Sequence, residues 1–166
     1  QARAGIRDRA LLHLAVTSGM RVSELVSTRL GDITFRDNYM DVRIRGKGRK
    51  DRVLTVWKAV GDSVRAWLAV RGDLRVPELF VSARDEALTR AGAAYILRKY
   101  VTLASNGTPT LAKKRVSPHV LRHTCAMVTL QATRDIRKVA LWLGHASTQT
   151  TEIYLNSDPI EKLETL

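Results

Sequence analysis

Ser117-Pro118-His119-Val120-Leu121-Arg122-His123-Thr124, then Leu143-Gly144-His145-Ala146-Ser147, then Thr150-Thr151-Glu152-Ile153-Tyr154: this run decides how the chain folds and what chemistry it carries. Ser117 suits a helix N-cap and Pro118 the first helical position, so a helix is expected to open there. Leu121, Cys125 and Val128 form one apolar stripe of it, placed to face a core. His119 and Arg122 lie three apart, neighbours on an adjacent face near the helix start. Free amides at a helix start, beside a histidine and an arginine, make a natural seat for an oxyanion. Ile136, Val139, Ala140 and Leu143 give a second helical stripe, and Gly144 supplies its stop. His145 follows that stop directly, and Ser147 is placed to cap a third short helix carrying Tyr154. Taken singly, each of these residues reads better as packing or surface. Only together do they point to a site.

The rest of the chain alternates helix and sheet signals. Ile6, Ala10 and Leu14, with Leu11 and Leu12, mark a first helix ending at Thr17-Ser18-Gly19. Ser23 or a close neighbour is expected to cap a second helix packing through Leu25 and Val26, which sets Arg21 at its mouth. Glu24, three residues on, either holds the Arg21 guanidinium or simply suits the helix dipole. From Ile33 the period shortens to two. Ile33–Phe35 and Tyr39–Ile44 flank the turn Arg36-Asp37-Asn38, and Arg52–Val56 follows a second turn, Gly46–Asp51, which predicts a small three-stranded antiparallel sheet. Arg43, Arg45, Lys47, Arg49, Lys50 and Arg52 crowd that second turn, with Asp51 the one acid among them. A basic hairpin tip suits a phosphate backbone and also suits plain solubility. Val60, Val64, Trp67 and Leu68 mark a further helix closed by Arg71-Gly72-Asp73, and Pro77–Val81 a short extended piece. Leu88 to Leu103 is a helix with Ala93, Ile96, Leu97 and Tyr100 inward; Ser105–Pro109 is a loop, and Lys113, Lys114 and Arg115 add charge before Ser117. The fold class is therefore α+β, mainly helical, in one domain spanning 1–166.

Composition narrows the function. The chain has 166 residues and a formal charge of +12, an excess that favours polyanions and above all nucleic acid over a merely soluble basic surface or an anionic membrane. No apolar run approaches the roughly 20 residues of a membrane span. The single cysteine, Cys125, excludes an internal disulfide and reads as a small core residue in a reducing compartment. No metal site is expected: His119 and His123 are four apart, but no His-Glu-x-x-His pattern or cysteine cluster accompanies them. The Gly-x-Ser-x-Gly elbow of serine hydrolases is missing too. What the chain offers is Arg21, Lys47, His119, Arg122 and His145, with Tyr154 close behind. Two arginines can grip the non-bridging oxygens of a phosphodiester and stabilise an in-line transition state. Only about one phenol in a thousand is ionised at neutral pH, and positive surroundings raise that fraction, so Tyr154 can serve as a nucleophile without a metal. A lysine or histidine would then protonate the departing 5′ oxygen.

The motifs Gly19-Met20-Arg21-Val22-Ser23-Glu24-Leu25, Gly46-Lys47-Gly48, Ser117-Pro118-His119-Val120-Leu121-Arg122-His123 and Leu143-Gly144-His145…Tyr154 closely resemble the tyrosine recombinase (phage integrase) family. They stand in the family's order and cover nearly the whole chain. The resemblance implies a site-specific recombinase that cleaves and rejoins DNA through a 3′-phosphotyrosyl intermediate, with no cofactor. It implies Arg21, Lys47, His119, Arg122 and His145 as activating residues, Lys47 as general acid, Tyr154 as nucleophile and Glu24 in support. Arg43, Arg45, Arg49, Lys50, Arg52, Lys113, Lys114 and Arg115 are expected on the DNA backbone. Partners implied are double-stranded DNA and further protomers, as a tetramer on DNA and a monomer alone, in the cytoplasm of a prokaryote or encoded by a mobile element. The family's N-terminal core-binding domain has no counterpart in this sequence. Residues 159–166 resemble the start of a C-terminal helix exchanged between protomers, with Ile160, Leu163 and Leu166 as its apolar face; the alternative reading is a frayed tail. Thr133 departs from the family, standing where many members have a helix-ending glycine. The rival readings are a type IB-like topoisomerase and a DNA-binding regulator on a retired recombinase fold.

Overall fold

The computed structural model describes residues 2–45, 51–144 and 151. Helix α1 (Ala2–Ser18) is followed by α2 (Val22–Ser27), a 3₁₀ turn at Leu30–Asp32, and strands β1 (Ile33–Phe35), β2 (Tyr39–Ile44) and β3 (Arg52–Trp57). Then come α3 (Lys58–Arg71), α4 (Arg90–Ser105), a short α5 (Pro109–Ala112), α6 (Pro118–Thr133) and α7 (Ile136–Leu143). The three strands form an antiparallel sheet in the order β1-β2-β3, with Ile33 opposite Val42 and Val42 opposite Leu54. The α+β, mainly helical architecture read from the sequence is therefore the one observed. Among the described residues no helix is long and apolar enough to cross a membrane.

Alternation decides which side of the sheet is covered. Met40, Val42 and Ile44 of β2 and Leu54 and Val56 of β3 are buried, and pack with Leu11 and Leu14 of α1 and Val60, Val64 and Trp67 of α3. The turn at Arg36 closes by Arg36 N–H donating to the Tyr39 carbonyl at 2.9 Å. Pro77–Val81 forms no strand; it is a buried connection tied by isolated bridges, Arg29 to Glu78 and Val81 to Ala87. Leu79, Phe80 and Val81 are fully buried there, and the Trp67 indole N–H donates to the Leu79 carbonyl at 2.8 Å. The loop expected over Ser105–Pro109 is shorter than that, because Pro109 opens α5.

A second, smaller cluster joins α6 to α7 through Ala126, Leu130, Val139 and Leu143. Ser117 caps α6 as expected, its hydroxyl accepting from Val120 N–H at 3.3 Å. The stripe assigned to α6 needs correction, since Val128 is 59% exposed. The inward face is Arg122, Cys125, Ala126 and Leu130, rotated by about one residue (~100°) from the expected one because α6 must serve α1 and α7 together. The turn between α6 and α7 is left-handed at Arg134 (φ 51°) and not at Thr133, whose hydroxyl donates to the Thr129 carbonyl at 2.8 Å. Asp135 then caps α7, its carboxylate accepting from Arg137 and Lys138 N–H. Gly144 ends α7 in the left-handed conformation, as the sequence predicts.

Candidate active site

Arg122 projects from the second turn of α6 into the seam between three elements. It is only 6% exposed, and it binds carbonyls at element ends. Nη1 donates to Gly19 O at 2.6 Å, just past the end of α1; Nη2 donates to Leu143 O at 2.8 Å, the last residue of α7. Uncapped carbonyls at helix ends carry partial negative charge and suit a guanidinium. One side chain thus ties residues 103 and 21 positions away into a single wall. Gly19 makes the approach possible. Its φ of +61° favours glycine, and a Cβ there would lie 2.9 Å from both Cys125 Sγ and Leu143 Cδ2. Cys125 is buried against the Thr17 carbonyl, and burial pushes its thiol pKa up, which leaves it an inert core residue.

Arg21 stands two residues beyond that Gly19 carbonyl, at the mouth of α2. The α2 N-cap is Arg21 and not Ser23, which lies inside the first turn. Arg21 has no side-chain acceptor to offer, so Glu24 does the capping from inside: its Oε2 accepts from Arg21 N–H at 2.8 Å. Glu24 Oε1 also takes the Arg21 Nη1 at 3.2 Å, so the two readings weighed for Glu24 are both realised. The Arg21 side chain remains 47% exposed and open to solvent beyond this contact.

Glu24 has a third donor. Arg52, first residue of β3, clasps it with Nη1 to Oε1 at 3.0 Å and Nη2 to Oε2 at 3.1 Å. The sequence groups Arg52 with the phosphate-facing cations, whereas the structure turns it inward, its side chain 16% exposed. Burial alone would raise the Glu24 pKa. The hydrogen bonds from the Arg52 side chain and the Arg21 backbone, with both positive charges, outweigh burial and hold the carboxyl below its ordinary value.

The remaining site residues divide by exposure. His119 is exposed on the first turn of α6, and Lys113, Lys114 and Arg115 are exposed just before it. Arg43 on β2 and Arg45 just past its end are each more than half exposed, and reach Asp32 Oδ1 at 3.9 and 3.1 Å. Buried Asp32 is a residue the sequence reading missed. Its other oxygen accepts from Arg29 N–H at 3.0 Å, repeating the Arg21-Glu24 spacing, which was the available signal. Lys47, Arg49, Lys50, His145 and Tyr154 lie outside the described residues, as do Ser147 and 159–166. Among the described residues no group of three His, Cys, Asp or Glu could hold a metal ion. The geometry on hand is thus two guanidinium groups, Arg21 and Arg122, set around one short loop, with a histidine one helical turn from Arg122. Such a cluster suits an oxyanion.

A sequence model described as the phage integrase family matches residues 1–161. The tyrosine recombinase XerD of Ralstonia nicotianae is 36% identical over 170 residues, covering 99% of this chain and 53% of that protein. Among solved structures, the XerH site-specific recombinase in a post-cleavage complex with its palindromic difH substrate superposes with a TM-score of 0.87. Its identity is 27%, over 99% of this chain and 46% of that one. The XerA recombinase gives a TM-score of 0.82 at 31% identity, over 96% of this chain and 55% of that one. The chain therefore spans about half the length of these relatives.

Proposed function

Given that this chain belongs to the phage integrase family, we propose that it carries the strand-cleaving and rejoining chemistry of a site-specific DNA recombinase. The observation that carries the reading is Arg122 bound to the carbonyl of Gly19, which brings α6 against the very loop that leads into Arg21. Two fixed cations can then bracket one phosphate and neutralise the charge that builds as the nucleophile attacks. His119, one turn before Arg122, and His145, the residue after Gly144, would complete the cradle. Tyr154 attacks phosphorus; the bond to the 5′ oxygen breaks, Lys47 supplies the proton, and a 3′-phosphotyrosyl ester holds the bond energy. A 5′ hydroxyl from another strand reverses the step, so no nucleotide cofactor is consumed.

Double-stranded DNA is the substrate in this reading, and Arg43, Arg45, Lys113, Lys114 and Arg115 are exposed cations suited to its backbone. Arg49 and Lys50 belong to the same proposal by their place at the hairpin. Strand exchange between two sites calls for several protomers, four in this reading, with the apolar face of Ile160, Leu163 and Leu166 passed from one to the next. The cytoplasm, where DNA is at hand, is the proposed location. The test is a nicked suicide duplex that lets the cleaved end diffuse away. A covalent protein–DNA adduct should accumulate with the wild type and vanish with Tyr154→Phe; an adduct that survives that change overturns the assignment.

A further inference from the structure

We infer that Arg52 is a positioning residue for cleavage, acting through Glu24 on Arg21, and not a contact to the DNA backbone. The inference rests on the recombinase reading above and extends it to a side chain which touches no phosphate. Glu24 is the hub: it receives the Arg21 backbone N–H, the Arg21 guanidinium and both terminal nitrogens of Arg52. A carboxylate held by a bidentate fork cannot swing, so the Arg21 head it engages is confined as well.

Arg52 is in turn wedged from the other side. A Cβ built on Gly144 would fall 2.5–2.7 Å from Arg52 Nη1, Cζ and Nε, so the guanidinium fills the space a side chain at 144 would need. Its Nε is buried and meets no acceptor among the described residues, a cost borne for this placement. Gly144 directly precedes His145, and Arg52 follows the hairpin that holds Lys47, five residues earlier in sequence. Leu143, before Gly144, gives its carbonyl to Arg122. One guanidinium therefore engages Glu24, which holds Arg21, packs at the residue before His145, and follows the hairpin that holds Lys47. With the side chain mostly buried, its charge is spent inside the protein.

The experiment compares the intact wild-type protein with Arg52→Gln and Arg52→Lys, in two assays plus a thermal melt. Equilibrium binding to duplex DNA across salt concentrations reports phosphate contacts, each worth about one in the log–log slope. Single-turnover cleavage of the nicked suicide duplex reports positioning. The expected result for Arg52→Gln is an unchanged salt slope with cleavage slowed about 10- to 100-fold, the scale of a small misplacement of reacting groups. In a Glu24→Gln background the same change should cost less than about threefold more, because both act through one contact. Arg52→Lys keeps the charge but not the fork, and should show the same slope with a smaller loss; it carries the test if the glutamine variant does not fold. A slope reduced by about one would make Arg52 a phosphate contact and overturn the inference. So would unimpaired cleavage in folded variants, or losses from Arg52 and Glu24 that multiply independently. A wild type that forms no adduct removes the recombinase reading and the positioning role with it, while the salt slope still decides whether Arg52 touches phosphate.

Discussion

Gly19→Ala is expected to weaken the fold and the chemistry together, by an amount the geometry sets. An L-residue held at this φ of +61° costs about 1–2 kcal/mol relative to glycine. The added methyl would also meet Cys125 Sγ and Leu143 Cδ2, both at 2.9 Å, and both side chains are buried. Overpacking of that kind costs about 1–3 kcal/mol, so a total of roughly 2–5 kcal/mol is anticipated. At about 2–4 °C per kcal/mol for a domain of this size, the melting midpoint should fall by roughly 4–20 °C. Urea unfolding measures the free energy directly. A cycle with Cys125→Ala, which removes one of the two clashing atoms, should return about 1 kcal/mol as coupling. Strand cleavage should fall as well, because the Gly19 carbonyl holds Arg122 Nη1. Gly19→Ala within about 0.5 kcal/mol of the wild type would refute the reasoning, since surface substitutions free of strain fall in that range.

Arg134→Gly should do the opposite, relieving a left-handed arginine (φ 51°) at the end of α6 and raising stability by about 0.5–1 kcal/mol in urea unfolding. Glu24 fixes a pH response. Its folded-state pKa is depressed, so its stabilisation is full above the ordinary glutamate value of about 4.3 and is lost as pH falls below it towards the folded value. Between pH 6 and pH 3 the wild type should therefore lose more unfolding free energy than Glu24→Gln, and equal losses would contradict the pairing. Replacing Lys113, Lys114 and Arg115 together with alanine should lower the salt slope of DNA binding by up to about three, with little change in the melting midpoint because all three are exposed.

Local chemistry made much of this fold legible in sequence. Ser117 with Pro118, Gly19, Gly144 and the Arg36-Asp37-Asn38 turn act within a few residues of themselves, and each stands where expected. The N-terminus of α2 was legible only to within a residue or two, because Arg21 has no capping oxygen and the cap comes from Glu24 within the helix. Val128 was misread because three apolar residues on a helix define a stripe but not which neighbour claims it. Arg52 was the least legible. Its position in a run of cations argues for the surface, and only a carboxylate 28 residues earlier, brought beside it by the fold, turns it inward. Arg122 is the converse case: its spacing from His119 marks it, yet the carbonyls of Gly19 and Leu143 that it binds are invisible as acceptors until α1 and α7 are in place.

The most direct measurement is single-turnover cleavage by Arg21→Ala on two suicide duplexes, one ordinary and one with an uncharged methylphosphonate at the scissile position. Arg21 is half exposed, so the variant should fold. If Arg21 and Arg122 bracket one phosphate, the loss on the charged duplex should be about 10²-fold or more. On the neutral duplex, which has no oxyanion charge for the missing arginine to offset, it should shrink to a small fraction of that. Equal losses on both duplexes would contradict a shared phosphate site.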